Sequence, residues 1–203
     1  SSGTYSYSSG ASNNYSMSFD GVDDVLEVPY SYDLVFPSDF TIQVDAFSTD
    51  IPTICDANSP YLLSWYISND EHVSLGRYCT SSIRFIIDLE PNHMLVIDSD
   101  PALTTINENT WYNFTITRSG DVFTLYQDNF IIGQTTYSIP YPNIVTPLSI
   151  GNGGNWSTNQ HEGNIDNLAM WNIALNQQEI QQYMNCPPTG NEAGLVGYWN
   201  FEE

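Results

Sequence analysis

The stretch that most limits what this chain can become is WYNFTITRSGDVFTLYQDNFIIGQTTY, residues 111 to 137. Apolar and polar side chains alternate through it, and two dipeptides, Ser119-Gly120 and Asp128-Asn129, interrupt the alternation. A period of two sends successive side chains to opposite faces of a strand. Gly, Asn and Asp supply the positive φ of a tight hairpin turn. The segment therefore predicts three consecutive antiparallel strands, and a sheet with one apolar face needs a second layer to cover it.

The rest of the chain supplies that layer. Short apolar or alternating runs bounded by turn residues recur at 17–20, 24–28, 40–48, 61–67, 83–88, 93–97, 148–150, 164–171 and 195–201, the spacing of a sandwich or barrel. One helix stands out at NQQEIQQYM: Asn176 caps it, Glu179 completes a capping box three residues on, and Pro187-Pro188 stops it. Residues 1–16, SSGTYSYSSGASNNYS, lack aliphatic periodicity and are expected to be a linker or tail, leaving 17–203 as one domain. No fixed-period repeat points to a solenoid or propeller. The fold class expected is all-β, a two-sheet antiparallel sandwich with one short peripheral helix.

Charge narrows the partners. Three basic residues, none of them lysine, face 24 acidic ones, for a formal net charge of -21. Nucleic acid and anionic lipid surfaces bind through Lys and Arg, so both are excluded as expected partners. No apolar run reaches the length of a membrane-spanning helix. The N-terminus lacks the basic start and apolar run of a signal peptide, so the sequence is expected to begin inside a longer chain whose neighbouring domains are partners. The three cysteines form no zinc-binding spacing; in a secreted chain Cys55 and Cys79 can close a loop as a disulfide, leaving Cys186 free or paired elsewhere.

Three segments together resemble the laminin-G-like, concanavalin-type lectin and glucanase superfamily, in the version common in secreted bacterial multidomain proteins. They are SFDGVDDVLEVP at 18–29, WYNFTITRSGDVFTLYQDNFIIG at 111–133 and SIGNGGNWSTNQHEGNIDNLAMWNIALNQQEI at 149–180. The resemblance implies a jelly roll with one concave and one convex sheet, located outside the cell or at its surface. In that family a strand reading like LVGYW often opens the module, whereas here GLVGYWNFEE comes last, at 194–203. It is expected to complete the sandwich beside residues 17–28, the alternative being the start of a following repeat.

The resemblance also implies candidate chemistry. Family members often carry calcium, and Asp20 and Asp24 of the first segment with Asp166 of the last are the expected ligands, hard carboxylates beside flexible glycines. The competing reading makes these aspartates ordinary turn residues. Carbohydrate binding needs aromatic faces and planar polar groups, which two loop regions offer: Tyr66, Asn69 and Asp70, and Asn155, Trp156 and His161. Glucanases of this fold carry acids in an E-x-D-x-x-E pattern, which is absent, as are a GxSxG elbow and a reactive-cysteine signature. The function expected is non-catalytic binding of a glycan or a cell-surface protein; the alternative is a structural spacer or assembly domain of a large adhesin.

Overall fold

The computed structural model describes residues 15–34, 38–51, 60–68, 71–78, 82–89, 93–138, 144–153 and 160–202. Thirteen strands among them form two sheets in which every pairing is antiparallel. The seven-stranded sheet contains β1 (Met17–Asp20), β3 (Phe40–Ser48), β8 (Trp111–Ser119), β9 (Val122–Gln127), β10 (Phe130–Thr136), β12 (Glu162–Trp171) and β13 (Leu195–Trp199). Its spatial order is β1-β12-β3-β8-β9-β10, with β13 also on β12. The six-stranded sheet runs β2 (Leu26–Val28), β11 (Leu148–Ile150), β4 (Tyr61–Ser68), β5 (Glu71–Tyr78), β6 (Ser82–Leu89) and β7 (His93–Asp98) in that order. This is the jelly-roll sandwich the sequence leads one to expect.

Between the sheets lies one continuous apolar core. It takes the alternate residues Phe40, Ile42 and Val44 of β3, Val73 and Leu75 of β5, Ile83, Phe85 and Ile87 of β6, and Phe123 and Leu125 of β9. The hairpin segment behaves as its alternation dictates: β8 pairs β9 in unbroken register, and Asp128 and Asn129 form the next turn with φ of 48° and 68°. Those two left-handed residues match the twist of the flanking strands.

The outer face of the seven-stranded sheet is covered. Helix α1 (Gln177–Asn185) starts at Asn176, whose side chain accepts from the backbone of Gln178 and Glu179 while Glu179 returns a bond to the Asn176 amide. It packs Ile180, Tyr183 and Met184 with Tyr126, Trp171 and Leu175. Strand β13 lies in line with β1 along the same edge of β12: β1 pairs residues 162–165 and β13 pairs 168–171. Between them β12 bulges at Asn167, whose φ is 48°. Its side chain donates to Asp45 and accepts from the Tyr198 hydroxyl, linking β3, β12 and β13.

Candidate functional site

Among the described residues, neither cluster of buried apolar side chains lies on the outer face of the six-stranded sheet. Its residues fall into cross-strand rows fixed by register. Ser149, Ser64, Ser74, Ile86 and Val96 line up across β11, β4, β5, β6 and β7. The adjoining row is Tyr66, His72, Asp88 and Met94, and on the other side Tyr61, Gly76, Arg84 and Asp98. Buried serines thus form a low floor, with aromatic and charged side chains standing on either side.

An aromatic platform is built into this face. A Cβ at Gly76 would come within 2.8 Å of the Tyr61 ring and 2.7 Å of the Pro60 carbonyl, so only glycine lets the ring lie down on β5. The same ring meets His72 edge-on, with centroids 6.4 Å apart. Burial lowers the His72 pKa while Asp88 pulls it upward, and the net lowering leaves the imidazole neutral at pH 7. Buried polar groups lie alongside. Among the described residues the fully buried Ser74 hydroxyl has no hydrogen-bond partner, and neither does Asn152 Oδ1, although the Asn152 carbonyl accepts from Ser64 at 2.8 Å.

At the β5–β7 side the guanidinium of Arg84 sits 3.2 Å from the centroid of the Tyr78 ring. Its Nη2 donates to Asp98 Oδ2 at 2.8 Å and its Nε donates to Oδ1 of the same carboxylate. These hydrogen bonds raise the Arg84 pKa against the opposing effect of partial burial.

The loop residues proposed from sequence fare unevenly. Tyr66 stands on this face. Asn69, Asp70, Asn155 and Trp156 lie outside the described residues, as do Cys55 and Cys79. His161 must be corrected: it is buried, its ring against Phe19 and its Nε2 3.2 Å from the Phe47 carbonyl. Burial, with a smaller push from Arg77, depresses its pKa to about 4 despite backbone hydrogen bonds that favour the charged form. It is a packing residue, not a ligand contact.

The proposed metal ligands divide as well. Asp20, Asp23 and Asp24 are exposed and each offers a carboxylate oxygen within 4.8 Å of the others. One oxygen of Asp24 accepts the Asp20 amide at 2.9 Å and one of Asp20 accepts the Val22 amide at 2.8 Å, leaving the others for a hard, oxygen-seeking cation. Asp166 does not join them. Asp20 pairs Glu162, so Asp166 lies four residues further along β12, roughly 13 Å away at the rise of a strand. There it faces Asp45 across the β3–β12 ladder, and burial raises its pKa to about 7, reinforced by Asp45 and opposed by the Asn167 amide.

Compared with known proteins, residues 34–181 match the family model described as the concanavalin A-like lectin/glucanases superfamily. No curated protein matches the chain in sequence. Among solved structures, domain 4 of AbnA, a GH43 extracellular arabinanase from Geobacillus stearothermophilus in complex with arabinotriose, superposes with a TM-score of 0.67 at 14% identity, over 89% of this chain and 81% of that one. A putative carbohydrate-binding protein from Bacteroides ovatus gives a TM-score of 0.66 at 12% identity, over 88% of this chain and 49% of that one. The CBM40 of the Ruminococcus gnavus IT-sialidase, bound to α2,3 sialyllactose, gives 0.58 at 11%, over 79% and 96%.

Proposed function

Since this chain belongs to the concanavalin A-like lectin/glucanases superfamily, we propose that it is a non-catalytic carbohydrate-binding module whose ligand lies on the outer face of the six-stranded sheet. The observation that carries this is the Tyr61 ring packed against Gly76, beside Tyr66 and His72. A flat aromatic face takes the apolar side of a sugar ring, and the neighbouring Ser, Asn and Asp groups exchange hydrogen bonds with hydroxyls. The structural likeness to an arabinotriose-bound domain and to a sialyllactose-bound module supports a glycan ligand.

The described acids on this face support binding without hydrolysis. Asp88 and Asp98 sit four positions apart across β6 and β7, roughly 13 Å along the strands. Paired glycosidase carboxylates stand about 5–9.5 Å apart, and here Asp98 is committed to Arg84. The module works outside the cell or at its surface, joined to neighbouring domains of a longer chain. A calcium ion held by the Asp20, Asp23 and Asp24 turn stabilises it.

A glycan array probed in calcium and again in chelator tests the reading, with Tyr61→Ala as the paired variant. Loss of the stacking face should weaken binding by about tenfold or more, on the order of 1.4 kcal/mol, without loss of fold. If the wild type binds no glycan in either condition, the sandwich is a spacer or assembly domain that projects its neighbours.

A further inference from the structure

Resting on the carbohydrate reading of this face, we infer that the ligand is an uncharged oligosaccharide and that Asp98 sets this preference by sequestering Arg84. The face carries Glu27, Asp88 and Asp98 against a single cation. Of the three basic side chains in the chain, Arg77 is buried on the inward side of β5 and Arg118 is buried with its Nε donating to the Gly120 carbonyl. Arg84 alone is placed to meet an anion, and its charge is already paired with Asp98.

One edge and one face of its guanidinium are in use. The Nε and Nη2 edge is closed by the two Asp98 oxygens, and the plane is stacked on Tyr78. A bidentate carboxylate is what an acidic sugar would itself present to an arginine, so Asp98 occupies the place of a ligand carboxylate. With that pair neutralised, Glu27 and Asp88 leave the face net negative, inside a molecule of net charge -21. A uronate, sialylated or sulfated glycan meets repulsion and finds no unpaired cation. A neutral glycan meets neither obstacle, since it carries no charge for Glu27 and Asp88 to repel and its hydroxyls can donate to Asp88.

The test uses matched probes: xylo-oligosaccharides with and without a glucuronate branch, and lactose-terminated glycans with and without terminal sialic acid. At roughly 10 mM ionic strength, where the screening length is about 30 Å, the neutral member of the pair that binds should be preferred by about tenfold. Added salt should narrow that ratio by strengthening the acidic member while leaving the neutral one unchanged. Asp98→Asn should release Arg84 and bring the acidic member to parity or better, with neutral binding retained, and Arg84→Gln in that background should reverse the gain. Wild-type protein that prefers the acidic member, or whose binding of it weakens with salt, overturns the inference while the glycan reading stands. Absence of binding to all four probes and to the full array overturns both. Should Asp98→Asn fail to fold, the salt dependence of the wild type decides alone.

Discussion

Asp128 sits at the first position of the β9–β10 turn, with φ of 48°, and its carboxylate accepts the Asn113 amide at 2.9 Å. Burial raises its pKa to about 6, opposed by that hydrogen bond and reinforced by Asp45. A carboxyl whose folded pKa lies above its unfolded value favours the fold fully below about pH 4, and that contribution disappears as pH rises through about 6. Asp128→Asn keeps an acceptor for the Asn113 amide, suits the left-handed backbone better and carries no charge. Its stability should match wild type near pH 4 and exceed it at pH 8, by at most roughly 3 kcal/mol, read from melts at the two pH values. Equal melting curves at both pH values would show that Asp128 ionises without cost. Gly76 offers a complementary check. Gly76→Ala drives a methyl into the Pro60 carbonyl and the Tyr61 ring, and should cost about 1–3 kcal/mol by overpacking while abolishing glycan binding. Thermal melts and glycan titration of that variant, set beside Tyr61→Ala, separate damage to the fold from damage to the platform.

At the scale of elements, β13 shows what a terminal strand contributes. Leu195 and Tyr198 join the cluster under α1, while Val196 and Trp199 pack on the main core, so one half-buried strand serves both faces of its sheet. Removing residues 194–203 should lower stability by roughly 4 kcal/mol, about 8–16 °C for a domain of this size. A calorimetric melt unchanged by the truncation would show the strand to be dispensable. The sequence announced this strand, the β8–β10 hairpins and the capped helix because each combines its own periodicity with its own turn or cap residues. It did not announce β5. EHVSLGRY has only Val73 and Leu75 in strand-like alternation, since His72, Ser74 and Gly76 belong to the candidate face and Arg77 turns a charged side chain inward. The strand that carries the site is therefore the one whose pattern the site erases. His161 misleads in the opposite sense, for its neighbours in sequence are polar while its own ring is turned into the core.

At the scale of the whole molecule, charge is the dominant stress. Among the described residues the one ion pair joins Arg84 to Asp98, so nearly all the carboxylates repel one another without a basic partner. Self-repulsion of this kind weakens the compact state and is relieved by screening or by bound cations. The two remedies are distinguishable. Monovalent salt acts on the summed charge and should raise the melting temperature gradually, whichever aspartate is neutralised. Calcium held at Asp20, Asp23 and Asp24 acts by mass action, adding about 2.7 kcal/mol when free metal is one hundred times the dissociation constant. Chelation in constant salt should therefore lower the melting temperature of metal-loaded wild type, and Asp24→Asn should blunt the shift. Asp166→Asn should leave the shift intact, because its position on β12 keeps it roughly 13 Å from the turn. Calorimetry in which millimolar calcium does no more than an equal ionic strength of sodium would reduce the three aspartates to solvated turn residues. A calcium shift lost in Asp166→Asn and kept in Asp24→Asn would move the ion to the Asp45–Asp166 pair instead.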